Sequence, residues 1–345
     1  MPRPTISGGL RGDSAPPCIF LARSWRPVSG NPPCHSPPPS LAPVAGSDLR
    51  LMIMPHTASR PRLAYSLSGP KGRAALVFVN GLGGLRQSWI HQVRAFADRY
   101  RVLTFDNRGN GGSEAGDGPI DMGTFASDLS RVMAQARIDS AVVIGISMGG
   151  RVALEFALSD PKRVVGLGLV ATTCGGGAST SASREALSAI RDAPTFDENG
   201  WMERVVPLLF GPRYVDRHRR RLKMFAAGRA RNPGDPATVA AQWQANRDFD
   251  VSDRLGSIRV PCLIIHGDDD ALCPPANAEV LQKRLPQSRM VRMSGAGHSP
   301  NIEAPDRFNE ALGSFLNDYR ADFETGDPGH SDAGDPTGSQ FIGDP

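Results

Sequence analysis

Ser147 stands in "VVIGISMGG", where Gly145-Ile146-Ser147-Met148-Gly149 spells Gly-x-Ser-x-Gly. An apolar run precedes the motif and a helix-like segment follows, so the serine would cap a sharp strand-to-helix turn. Gly145 and Gly149 clear the space in which side chains would collide, and the turn lifts the hydroxyl out of the sheet. It also sets the serine at a helix N-terminus, where free N–H groups and the dipole favour developing negative charge. A serine hydroxyl attacks well only when a base takes its proton. Of the seven histidines, His35 and His330 fall in the chain ends, and His56 lies at the edge of the patterned region. His91 and His218 lie on helical stretches, and His266 closes a buried strand, where it reads as a core residue. His298 follows a strand in the glycine-rich loop "SGAGHSPNIEAPDRF" and is the candidate base.

A protonated histidine must be oriented and stabilised by a carboxylate. The loop "VATTCGGGASTSAS" contains no Asp or Glu, whereas "HGDDDALCPP" holds Asp268, Asp269 and Asp270 directly after the next strand. The strands before Asp270 and His298 are consecutive, and a right-handed crossover places them side by side with both carboxyl ends on one edge. Asp268 sits at the strand end and Asp270 further out, where the loop can arch toward its neighbour. Geometry prefers Asp270 and leaves Asp268 open. The developing alkoxide needs backbone donors. The N–H of Met148, next to the nucleophile, is one candidate, and Leu82 N–H in "FVNGLGGLRQSW" is the other.

These loops need strands to carry them. Apolar runs predict strands at Ala74–Asn80, Tyr100–Asp106, Ser140–Ser147, Arg163–Thr173, Pro261–Gly267 and Ser288–Gly295. Helical patterns separate them, at Trp89–Asp98, Met122–Ala136, Met148–Leu158, Ala276–Leu285 and Ala304–Tyr319. The alternation predicts an α/β fold with a mainly parallel, doubly wound sheet, whose functional loops gather at the carboxyl ends of its strands. Between Cys174 and Gly256 no strand pattern occurs. Helical stretches at Arg184–Asp192, Asn199–Phe210, Arg213–Ala230 and Pro236–Asp248 predict an inserted helical cap.

The expected organisation is a core of residues 55–173 and 257–320, a cap at 174–256, and two disordered ends. Residues 1–54 are rich in proline, with Met54 a candidate start, and 321–345 form an acidic tail that repeats Gly-Asp-Pro. A net charge of +4 over 345 residues is too small and dispersed to imply nucleic acid. No run approaches the ~18 apolar residues of a membrane span. The apolar cluster Cys18–Ala22 is too short for a secretory signal core. Five scattered cysteines, an odd number without a CxxC, suit reduced thiols and a cytoplasmic protein better than a disulfide frame. In the cap, "YVDRHRRRLKMF" carries Arg217, Arg219, Arg220, Arg221 and Lys223, read first as a solvated face and alternatively as an attractor of anionic substrate. Trp89, Trp201, Met202, Phe210 and Trp243 would either line an acyl pocket or pack the cap.

Across Arg60 to Tyr319 the chain resembles the α/β-hydrolase superfamily, through "NGLGG", "DNRGNGGSE", "GISMGG", "GDDDALCP" and "GAGHSPNIEAPDRF" in that order. The nearest likeness is to its enol-lactonase-like and small-ester hydrolase branch, although Asn80 stands where many relatives have His. The resemblance implies the α/β-hydrolase fold and maps the acid-loop pattern Gly-x-x-Asp-x-x-x-Pro onto Gly267, Asp270 and Pro274, which agrees with the geometric preference. It implies structural roles for Asp106 and Arg108. A serine at 147 argues against the dehalogenase and epoxide-hydrolase branches, which use an aspartate there. The expected activity is hydrolysis of a small-molecule carboxylic ester or lactone through an acyl-enzyme, with no cofactor and no metal. Thioester or carbon–carbon bond hydrolysis, or a ligand receptor on the same fold, are the alternatives.

Overall fold

The computed structural model describes residues 55–320 and Phe323, with Pro233 excepted. The expected disordered ends, 1–54 and 321–345, therefore lie outside the described residues, apart from Phe323, which is helical and buried against the apolar layer around Phe315 rather than solvated. Seven strands form one sheet, β1 (Tyr65–Ser68), β2 (Ala75–Val79), β3 (Arg101–Phe105), β4 (Ala141–Ile146), β5 (Val164–Val170), β6 (Cys262–Gly267) and β7 (Ser288–Met293). Their spatial order is β1-β3-β2-β4-β5-β6-β7. All neighbours run parallel except β1, which pairs antiparallel with β3. β1 was not expected from the sequence. It is short and lies at the sheet's edge, with Ser66 exposed and Leu67 and Ser68 only partly covered, so it lacks an apolar run.

β2, β4 and β5 are buried along their length, apart from the partly covered Ile146 at the end of β4, because helices cover both faces. On one face Val77, Val79, Val143 and Ile264 pack with α2 (Met122–Gln135) and α3 (Met148–Ser159). On the other, Leu76, Phe78, Ile144, Leu263 and Ile265 pack with Trp89, Phe308, Leu312 and Phe315. α2 shows how the sequence builds such a layer. Phe125, Leu129, Val132 and Met133 recur at helical spacing on its buried face, and Asp121 caps it by accepting a 2.7 Å hydrogen bond from Thr124 N–H. Losing that cap would cost about 1 kcal/mol, whereas truncating buried Phe125 to alanine would cost about 3–5 kcal/mol. Trp89 is fully buried, 4.8 Å from Phe78 between ring centroids, so it packs the core rather than an acyl pocket.

The segment between β5 and β6 is helical, at Arg184–Asp192, Pro212–Arg217, Arg219–Arg231 and Pro236–Asp248. Two expected continuous helices are broken. Asn199–Phe210 contains a wide π turn at Trp201–Val205, followed by Pro207. Arg213–Ala230 divides at His218. The ends of the insertion are stitched together, since Gly176 N–H donates to Phe249 and Val251 N–H to Cys174. Its last helix rests on the core through fully buried Gln242, which donates 2.7 Å to the Arg108 carbonyl. No helix among the described residues is long and apolar enough to cross a membrane.

Candidate active site

The turn after β4 has the strain expected of it. Ser147 adopts φ 55° and ψ −121°, a left-handed region that a non-glycine residue rarely enters without a structural reason. A Cβ on Gly145 would collide with the Gly149 carbonyl, and one on Gly149 with the Val79 carbonyl, so both motif glycines are required sterically. The turn is held by Ser147 N–H donating 2.9 Å to Val170 and by Thr172 Oγ1 donating 2.6 Å to the Ser147 carbonyl.

The loop after β2 lies against this turn. A Cβ on Gly81 would stand 3.2 Å from Ser147 Cβ. Met148 opens α3, so its N–H has no intrahelical acceptor. Neither it nor Leu82 N–H meets a loop acceptor among the described residues. Asn80 is fully buried and its side chain is spent on structure, donating to Phe105 and accepting from Ser88 Oγ. Asp106 fixes the same loop by accepting from Arg86 N–H at 2.8 Å and pairing with the Arg86 guanidinium. Arg108 makes a buried two-point pair with Asp128, at 2.6 and 2.8 Å.

The three aspartates separate cleanly. Asp268 pairs with Arg292 at 2.6 Å on the surface, and Asp269 is exposed. Asp270 is 4% exposed and turns inward. Its carboxylate accepts from Leu272 N–H at 2.9 Å, from Cys273 N–H at 2.7 Å and from His298 Nδ1 at 2.9 Å. β6 and β7 are parallel neighbours, with Gly267 opposite Met293, which brings the two loops together. A Cβ on Gly267 would strike the Gly297 and Ala296 carbonyls, so that glycine permits the approach. With Nδ1 committed to Asp270, the ring's Nε2 is the nitrogen left to exchange a proton. No hydrogen bond joins Nε2 to Ser147 Oγ among the described residues, and such contacts commonly tighten only when substrate binds.

Burial pushes the Asp270 carboxyl upward, but the His298 charge and hydrogen bond, with His266 close by, outweigh it and hold the group at about 2. The second histidine is His266. Its Nε2 lies 2.7 Å from the Cys273 carbonyl, to which only a protonated nitrogen can donate, and 3.4 Å from Asp270. Its Nδ1 is buried without a partner, so the ring's proton sits on Nε2. His266, Asp270 and Cys273 bring potential ligand atoms within 4.8 Å of one another. Burial and the Asp270 charge keep the Cys273 thiol well above its usual range, and the Asp270 oxygens already serve N–H donors. This donor set suits a hydrogen-bond network better than a metal centre.

Glu303, five residues after His298, is a site residue that the sequence pattern does not single out. Its carboxylate accepts from Gly297 N–H at 3.0 Å and Ser299 N–H at 3.2 Å, on either side of His298, and from Gly211 N–H at 2.7 Å in the insertion. Burial raises its pKa, with Asp270 adding to the effect, against the lowering influence of these N–H donors. Arg217, Arg219, Arg220, Arg221 and Lys223 are exposed, which fits either reading of that stretch. Cys174, Cys262 and Cys273 are buried and free.

A family model for the alpha/beta hydrolase fold matches residues 74–305. RutD of Variovorax paradoxus, whose name assigns it carbamate hydrolysis, is 30% identical over 260 residues, spanning 74% of this chain and 96% of that protein. The 3-oxoadipate enol-lactonase 2 of Acinetobacter baylyi is 26% identical over 260 residues, spanning 75% and 95%. The crystal structure of the enol-lactonase from Burkholderia xenovorans LB400 superposes with a TM-score of 0.68 at 27% identity, covering 76% of this chain and all of that one.

Proposed function

Because the chain belongs to the α/β hydrolase fold family, we propose that it is a serine hydrolase cleaving a small-molecule carboxylic ester or lactone, with Ser147, His298 and Asp270 as its triad. The observation that carries this reading is the buried His298–Asp270 pair at 2.9 Å, on the same sheet edge as the strained Ser147 turn. Ser147 Oγ attacks the carbonyl carbon while its proton passes to His298 Nε2. Leu82 and Met148 N–H groups hold the resulting oxyanion. The tetrahedral intermediate collapses, the carbon–oxygen bond breaks, and the leaving alkoxide takes the proton from His298. Water then attacks the acyl-enzyme with His298 again as base, and the acid leaves as Ser147 regains its proton. The sum is ester plus water giving acid plus alcohol, with Asp270 holding the imidazolium throughout. Residues 174–256 serve as a cap over a core of 55–173 and 257–320.

Likeness to RutD favours a second reading, a carbamate as substrate, for which the same groups serve with an amine or alcohol leaving. A panel of p-nitrophenyl acetate, simple lactones, acyl thioesters and carbamates, with Ser147→Ala as control, tests the proposal. Multiple turnovers on esters or lactones, lost in Ser147→Ala, are expected. Turnover that survives in Ser147→Ala overturns it, and stoichiometric acylation without release points to a receptor.

A further inference from the structure

The partly or fully buried arginines near the site divide into two kinds. Arg86 and Arg108 each meet a buried carboxylate, Asp106 and Asp128. Arg151 and Arg229 meet only neutral acceptors. Arg151 is closed off, since it donates to the Asn246 carbonyl and to Thr173 Oγ1. Arg229, on the helix Arg219–Arg231, donates 2.7 Å from Nη1 to the Gly83 carbonyl and lies with its guanidinium carbon 5.2 Å from the centre of the Trp201 ring. No carboxylate pairs with it among the described residues. Among the described residues the Nη1 bond to Gly83 is its only hydrogen bond, and none of its nitrogens is a sealed, unpartnered atom.

Its position is specific. Gly83 follows Leu82, the candidate oxyanion donor, and Gly81 of the same loop touches the Ser147 turn. Gly83 has φ +63°, and a Cβ there would lie 2.8 Å from Arg229 Nη2, so the loop is shaped to admit the guanidinium. A half-buried cation without a counter-ion is costly unless an anion completes it. Burial accordingly lowers the Arg229 pKa. A guanidinium presents its N–H edges as a rigid fork that matches a carboxylate, and the Trp201 face limits the freedom lost on binding.

Resting on the serine-hydrolase reading, we propose that Arg229 is a specificity residue, and that the substrate carries a carboxylate in addition to its scissile ester or lactone. The exposed cations on the same helix then steer that anion toward the site.

The test compares kcat/KM for monomethyl succinate, glutarate and adipate with that for methyl butanoate, pentanoate and hexanoate, followed by acid release at fixed ionic strength. It is run on the wild type, Arg229→Met and Arg229→Lys. Neutral-ester rates report any damage to the Gly83 loop, so the readout is the ratio of acidic to neutral substrate. Arg229→Met is expected to lower that ratio about 10- to 100-fold at the best chain length, mainly through KM, and Arg229→Lys less. Neutral-ester turnover with an unchanged ratio at every length overturns the inference alone. Failure of the wild type on all six esters overturns it together with the ester-hydrolase reading.

Discussion

At the carboxyl ends of β6 and β7, charged and polar groups are almost all partnered. In the insertion, by contrast, the helix Arg219–Arg231 carries a row of cations with no carboxylate partner among the described residues. Asp270 alone accepts from two backbone N–H groups and His298, with His266 beside it, whereas Arg229 has one neutral carbonyl and an indole face. Packing follows the same division. The sheet is covered by two large apolar layers, and the insertion holds two small clusters, around Trp201 and around Phe210. A reacting group must be held to within fractions of an ångström, which demands rigid, satisfied surroundings. A substrate-selecting surface instead leaves charge for the ligand to complete.

Four substitutions and one titration would break or sharpen that contrast. Asp270→Asn should lower kcat by about 10⁴, because the amide cannot fix the tautomer or stabilise the imidazolium. Steady-state kinetics with retained near-UV circular dichroism checks it. Glu303→Ala frees the loop on both sides of His298 and should lower kcat about 10²-fold, with KM changing less. An effect on KM alone would mean that Glu303 serves the insertion through Gly211 instead. The Arg229→Met ratio comes next and is confined to acidic substrates. Asp268→Asn breaks only the exposed pair with Arg292 and should leave kcat/KM within about threefold and cost at most about 1 kcal/mol.

The titration concerns stability. Asp270 has a folded pKa of about 2, below the unfolded value of about 3.9. Its ionised form therefore stabilises the fold at pH values above about 4, and this contribution is lost as pH falls toward 2. Urea midpoints of the wild type and Asp270→Asn should differ at pH 5 and converge as the pH falls from about 4 toward 2. A gap that widens on acidification would reverse the assigned sign.

Much of the site was legible because its demands are local. A strained serine turn needs glycines at 145 and 149, and the first loop acids after the insertion are the three aspartates. Position within the loop favoured Asp270, and the fold shows why the three differ: only one turns inward, against His298. What escaped is non-local or weakly patterned. β1 is an edge strand of four residues with little apolar signal. Glu303 acts on backbone N–H groups, which no residue pattern records, and one of them lies 92 residues away. Arg229 is one cation among several on its helix, and only its contact with Gly83, 146 residues distant, singles it out. The π turn at Trp201–Val205 keeps helical periodicity, so it reads as plain helix.

The central claim is that Ser147 is an activated nucleophile served by His298 and Asp270. Labelling the native protein with a fluorophosphonate and mapping the adduct by peptide mass spectrometry tests it most directly. A single rapid adduct on Ser147, abolished in Ser147→Ala and slowed by orders of magnitude in His298→Ala and Asp270→Asn, is the expected result. No adduct, or one on another residue, would contradict it.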